Sequence, residues 1–233
     1  MSELEYLPAS VDVYTPTRAA RYDTDHHRSL RARLTSRREQ GNLLKALQFA
    51  GLQLAAPLDS ALDLPCGTGR FWKPIQAAGI GKLIAGDIST GMLGVAAENR
   101  RSADLPAQLL KLSAFAIALP DDSVDVAICM RFYHHLSRAE DRLRLLAELK
   151  RVARRYIAIS LWVDGNFRSW KAGDRFAATD EAGYGKRICR PRAEVEAEFS
   201  QAGLKIRRHY DVWPHLDMWR LYLLELPDAP SSS

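Results

Sequence analysis

The chain lacks long apolar runs, and no stretch approaches the roughly 18 uninterrupted apolar residues of a membrane-spanning helix. The opening segment MSELEYLPAS carries acids and no apolar core, which excludes a signal peptide there and predicts a cytoplasmic protein. Cysteine is scarce. Cys66, Cys129 and Cys189 are odd in number and show no CxxC spacing, so neither a disulfide framework nor a cysteine-based metal site is expected. Reduced thiols and no bound metal follow from the same count. There is no internal repeat, and the only low-complexity tract is Ser231-Ser232-Ser233.

What remains is ordinary in bulk and uneven in detail. A hydrophobic fraction of 47% over 233 residues supports one large domain, or a domain with a modest appendage. The net charge of +5 is concentrated in two blocks. Arg18, Arg21, Arg28, Arg31, Arg33, Arg37 and Arg38 form the first; Arg168, Lys171, Arg175, Lys186, Arg187, Arg190 and Arg192 form the second. Such blocks read either as surfaces for an anionic partner or as solvated helix faces.

Periodicity sorts the chain into elements. Residues 1–14 read as a leader, and a helical pattern from Pro16 to about Ala50 places Leu30, Leu34, Leu43, Leu44 and Leu47 at three- and four-residue steps. Strands are expected over 60–64, 82–86, 108–112, 124–130 and 156–163. Helices are expected between them, with Ser89 and Ser137 as N-caps. Short apolar strands alternating with helices imply a doubly wound α/β fold. Residues 164–190 are polar, rich in Gly and Arg, and too long for a simple connection, so they read as an insertion. A helix near 191–202 and two strands, 205–212 and 218–226, joined through Trp213-Pro214-His215, close the chain.

The first strand ends in LDLPCGTGRF. Gly67 and Gly69 after a buried strand let backbone approach a nucleotide and open a helix N-terminus toward it. Asp63 precedes the turn, and Asp87 follows Gly67 by 20 residues, the spacing at which an acid reaches ribose hydroxyls. Trp72 occupies the place of the third glycine of a dinucleotide fingerprint, which favours a nucleoside without a pyrophosphate.

With IAGDISTGML and KLSAFAIALPDDSVDVAICMRFYHHL following at the usual intervals, the chain resembles the class I S-adenosylmethionine-dependent methyltransferases over about residues 40–226. The small-molecule methyltransferases of bacteria, some linked to cell-envelope or lipopolysaccharide functions, are the subgroup it is most similar to. The resemblance implies a Rossmann-like sheet of seven mostly parallel strands with a C-terminal antiparallel strand, helices on both faces and an N-terminal helical cover. It divides the chain into residues 1–50, leader and cover, and 51–228, the S-adenosylmethionine-binding domain with a lid insertion at about 164–190. Carried over by position, it implies that Asp63, Gly67 and Gly69, with Pro65 and Cys66 in the same turn, hold the methionine part of S-adenosylmethionine. Asp87 would bind the ribose, Ile88 and Met92 would flank the adenine, and Ser113 and Ala114 would meet its edge. Met130 and Arg131 would lie beside the methionine. The chain departs from the family at three places: Pro65 replaces a glycine, Ser113 an aspartate, and Ala153-Arg154-Arg155 the usual glycine turn before the fifth strand.

Methyl transfer needs an aligned nucleophile and exclusion of water, and a hydroxyl acceptor also needs a base. His134 and His135, just beyond the fourth strand, are candidates for that base or else a structural pair. The basic blocks sit where this fold builds its substrate cover, so the acceptor is expected to be small and anionic: a carboxylate, a phosphorylated metabolite or a glycolipid. Arg175, Arg187, Arg190 and Trp170 are the expected contacts, and transfer to an O or N atom is the expected reaction. Two alternatives stand beside this. Basic blocks with aromatics also suit RNA, although no N/D-P-P-Y or Pro-Cys signature follows the fourth strand. The run Arg33-x-x-x-Arg37-Arg38 also suits the phosphates of a cyclic dinucleotide, which would make the chain a regulatory binding protein.

Overall fold

The structure is a computed structural model that describes residues 29–54, 57–103, 106–176 and 187–227. The expected leader, Arg18, Arg21 and Arg28 of the first basic block, and Tyr184 and Lys186 of the insertion lie outside the described residues.

Seven strands form one sheet in the order β3-β2-β1-β4-β5-β7-β6. They are β1 (Ser60–Asp63), β2 (Lys82–Asp87), β3 (Ala107–Lys111), β4 (Val124–Cys129), β5 (Ala153–Trp162), β6 (Lys205–Asp211) and β7 (Trp219–Glu225). All neighbours run parallel except at β7, which pairs antiparallel with both β5 and β6. The expected C-terminal antiparallel arrangement is therefore present. The central strands are apolar along their length because helices cover both faces. α1 (Leu30–Leu52), α2 (Trp72–Ala77) and α3 (Thr90–Ala103) lie on one side; α4 (Ala139–Val152) and α6 (Arg192–Gln201) lie on the other.

Leu43, Ala46, Leu47 and Ala50 of α1 recur at helical spacing and join the core beneath β1 and β2. α1 is thus packed into the same core as the sheet. The cap at Ser89 is present, its Oγ accepting the Met92 N–H at 3.2 Å. The cap at Ser137 is not. α4 starts at Ala139 with Arg138 as its cap and no side-chain cap bond, and the Ser137 carbonyl accepts from two guanidinium groups described below.

The absent glycine turn before β5 has a structural replacement. α4 ends at Val152 and β5 begins at Ala153, which takes extended angles (φ −91°, ψ 140°). A register shift against Val124 and Val126 then absorbs an extra β5 residue as a bulge. The bulged strand carries Arg154, which pairs with Asp125 at 2.9 Å.

Candidate cofactor and acceptor site

The carboxyl ends of β1, β2 and β4 meet at the glycine turn. Gly67 and Gly69 adopt φ of +54° and +83°, the left-handed region in which a side chain is strained. They serve different ends. A Cβ on Gly67 would meet nothing within 4 Å, so open space lies before that backbone. A Cβ on Gly69 would fall 2.8 Å from three ring carbons of Trp72. Gly69 is therefore a glycine because the indole covers it. The turn is tied down from β2 and α3: the Cys66 N–H donates to the Gly86 carbonyl at 2.7 Å, and Asn99 Nδ2 donates to the Thr68 carbonyl at 2.9 Å. Pro65 follows a cis peptide bond. Cys66 is buried, and burial with Asp63 and Asp87 nearby pushes its thiol well above the usual range.

Asp63 is fully buried, its Oδ2 accepting the indole N–H of Trp72 at 3.0 Å and its Oδ1 without a partner. Burial pushes its carboxyl up from 3.8 to about 8, opposed by the Trp72 bond, reinforced by Asp87 and opposed again by Arg70. Asp87 organises the turn: its Oδ2 accepts the Gly67 N–H and its Oδ1 the Ser89 N–H, each at 2.9 Å. Burial raises its pKa, against the pull of the Ser89, Gly67 and Ile88 amides. Ile88 is half-buried beside it, and Met92, Ala114 and Met130 are buried. Ser113 Oγ accepts the Phe115 N–H at 3.3 Å, so this hydroxyl shapes its own loop where the family carries a carboxylate.

Glu39 was not singled out in the sequence, although it interrupts the apolar stripe of α1 between Ser36 and Leu43. It is buried. Its carboxylate takes a bidentate pair from Arg131 (2.8 and 2.7 Å) and a bond from Arg70 (3.1 Å). Arg131 sits at φ +59°, its N–H donates to Ser160 Oγ at 2.8 Å, and its guanidinium lies 4.6 Å over Trp219. One acid of α1 therefore joins the glycine turn to the end of β4.

The two histidines occupy a 3-10 turn, Tyr133–His135, and differ sharply. His134 is buried. Its ring stacks on Trp162 (5.4 Å, 16°) and meets the edge of Trp219 at 4.9 Å, and its carbonyl accepts the Ile188 N–H at 2.8 Å. Burial, then His135, Arg187 and Arg131, hold its pKa well below 6.5, so the ring is neutral. His135 lies 4.2 Å from it and is only half-buried. The turn is clamped from behind. Arg142 donates to the Leu136 and Ser137 carbonyls at 3.2 and 2.7 Å, and Arg190 donates to the same two at 2.9 and 2.7 Å. Glu198 holds Arg142 and accepts the Tyr133 hydroxyl, and Glu194 holds Arg190 at 2.9 Å. Arg190, expected to meet substrate, is thus 4% exposed and braces the histidine turn.

Beyond β5, the helix α5 (Phe167–Ala172) and a 3-10 turn at Gly173–Phe176 border a cleft of about 770 Å³. Phe167, Trp170, Phe176, His215 and Met218 are among its walls. Phe176 meets Trp162 edge-on at 5.2 Å. The guanidinium groups of Arg168, Arg187 and Arg175 lie over Trp162 or Phe176 at 5.7, 5.6 and 5.5 Å. Trp162 Nε1 is buried with no hydrogen-bond partner. Arg175, Arg187 and Trp170 are exposed at this end. In the run of Arg33, Arg37 and Arg38, Arg38 stacks on Trp213 at 3.9 Å and donates to the Val212 carbonyl at 3.3 Å.

Residues 62–156 match the family model of a methyltransferase domain. Over those residues the chain carries a methyltransferase domain. Solved structures share the fold at low identity. The magnesium protoporphyrin IX methyltransferase of Synechocystis PCC 6803, with bound SAH, aligns with a TM-score of 0.71 at 16% identity over 93% of this chain and 98% of its own. A SAM-dependent methyltransferase from Aquifex aeolicus aligns at 0.60 and 23% identity over 91% and 98%. An S-adenosylmethionine-dependent methyltransferase from Clostridium acetobutylicum aligns at 0.65 and 14% over 89% and 98%. A search of the curated proteins finds no significant match. The residues of this site fit S-adenosylmethionine: Asp63 Oδ1 is a buried acceptor without a partner, and open space lies before Gly67.

Proposed function

We propose that the chain moves the methyl group of S-adenosylmethionine to an O or N atom of a small anionic acceptor seated in the cleft beside α5. The observation that carries this reading is the cleft's aromatic wall of Phe167, Trp170 and Phe176, with the Arg175 guanidinium 5.5 Å over Phe176. A flat or apolar body against the rings and an acid toward Arg175 would use both chemistries. One fold relative is named for magnesium protoporphyrin IX, a small-molecule acceptor, which agrees in class.

Within this reading Asp63 takes the cofactor's ammonium on Oδ1, Gly67 lets its methionine portion approach, and Asp87 receives the ribose hydroxyls. Ile88 and Met92 flank the adenine, with Ser113 and Ala114 at its edge and Met130 and Arg131 beside the methionine. When bound, the cofactor supplies an electrophilic methyl on a sulfonium. The protein's part is alignment, exclusion of water and removal of a proton. His135 is the base: it is partly accessible, while His134 is enclosed by Trp162 and Trp219 and keeps the turn in place.

The test is incubation with methyl-labelled S-adenosylmethionine and fractionated extract, alongside Arg175→Glu and Arg187→Glu. Label in small acidic molecules or lipid, with acceptor KM raised in both variants, is expected. Label confined to RNA, or no change in either variant, overturns the reading.

A further inference from the structure

Six large apolar side chains are exposed among the described residues: Leu30, Leu34, Leu52, Phe167, Trp170 and Leu216. Five of them belong to segments that touch one another. Asp217 pairs with Arg168 of α5 at 3.0 Å and with Arg31 in the first turn of α1 at 3.8 Å. The Phe167 N–H donates to the His215 carbonyl at 2.9 Å, and Trp213 Nε1 donates to Thr35 Oγ1 at 3.4 Å. The start of α1, all of α5 and the 213–217 turn therefore make one continuous end of the molecule. Leu52 lies at the far end of α1, about 33 Å away along a helix of 23 residues.

α5 is the centre of this face. It buries none of its six residues, yet its local fold is well specified by a capping box between Asn166 and Ser169. Phe167 and Trp170, one turn apart with rings 5.8 Å from each other, are 54% and 78% exposed. A solvent-facing tryptophan and phenylalanine on a helix that contributes nothing to the core need a partner surface. The charge around them is one-sided. The three segments and the residues flanking α5 carry Arg31, Arg33, Arg37, Arg38, Arg168, Lys171 and Arg175 against Asp164, Asp174 and Asp217. Asp217 is buried and already holds Arg31 and Arg168, and Asp164 accepts the Arg192 amide.

We propose that this face docks on an anionic lipid bilayer, with Phe167 and Trp170 entering the interfacial layer and the surrounding cations meeting lipid phosphates. Aromatic side chains ringed by arginine and lysine suit that boundary, where ring and charge are satisfied at different depths. The contact is peripheral, since no helix among the described residues is long and apolar enough to cross a membrane. The cleft opens beside the same helix, so docking would bring it to the lipid surface. The inference needs only the face itself and holds apart from the identity of the acceptor.

Flotation of the full chain tests it, with vesicles of phosphatidylcholine alone and of equimolar phosphatidylcholine and phosphatidylglycerol. Binding to the mixed vesicles only, weakened by salt, is expected. The double variant Phe167→Ser with Trp170→Ser should lose on the order of tenfold in partitioning, at an unchanged melting temperature because neither side chain is buried. Absence of flotation at low salt overturns the proposal, as does flotation undiminished in the double variant. Concentration-dependent dimerisation that the same variant abolishes, without vesicle binding, overturns it too by showing the face to be a contact between copies.

Discussion

Trp72 donates its indole N–H to Asp63 Oδ2 at 3.0 Å, and its ring fills the space that a side chain on Gly69 would need. The tryptophan that breaks the dinucleotide fingerprint is thereby the residue around which the turn is built. Trp72→Phe removes the one hydrogen bond that the buried Asp63 carboxyl accepts among the described residues. A loss of about 1–3 kcal/mol is expected in denaturant unfolding.

Gly69→Ala tests the same packing from the other side. The added methyl meets the ring at 2.8 Å and its backbone lies at φ +83°, so destabilisation of about 1–3 kcal/mol is expected. Trp72→Leu in that background should recover part of it, measured as a non-additive double-mutant cycle.

The raised pKa of Asp63, about 8 against 3.8, fixes the sign of a pH effect. Between those values the folded chain holds a proton that the unfolded chain has released. Its contribution to stability is therefore full below 3.8, declines as pH rises and is gone above about 8. Asp63→Asn should flatten that part of the profile. If Oδ1 receives the cofactor's ammonium, binding at neutral pH expels this proton. Calorimetry in buffers of different ionisation enthalpy should then show proton release in the natural chain and none in the variant.

Arg142 and Glu198 form a buried pair behind the histidine turn. Arg142→Ala leaves Glu198 buried without its cation, and a loss of about 3–5 kcal/mol is expected. Arg190→Ala frees the Leu136 and Ser137 carbonyls from one of their two clamps. It should lower kcat more than it raises cofactor Kd.

His135→Ala should reduce methyl transfer by roughly 10²–10⁴-fold while leaving cofactor binding intact. His134→Ala should act first on the melting temperature, because it empties a place between Trp162 and Trp219. Unchanged turnover in both variants would remove histidine from the chemistry.

Much of the fold was legible because its cause is local. The alternation of short apolar strands with helices, the Ser89 cap and the paired C-terminal strands all follow from period and punctuation, and all are present. The glycine turn was placed correctly, but Gly69 answers to Trp72 rather than to open space before the backbone. That contact joins two residues whose packing no pattern states. Glu39 escaped notice because its partners, Arg70 and Arg131, lie 31 and 92 positions away. It was visible only as an acid on an apolar stripe. Arg190 looked like substrate machinery because charge in a sequence carries no burial; its partners are backbone carbonyls, which have no sequence signature at all.

The direct passage from Val152 into Ala153 leaves the chain no slack between α4 and β5. Elsewhere a loop can gain or lose a residue and hide the change in solvent. Here a single insertion would either reverse which side chains of β5 point to each layer or rotate α4 by about 100°. This junction should be the point in the chain where length, rather than composition, is held fixed.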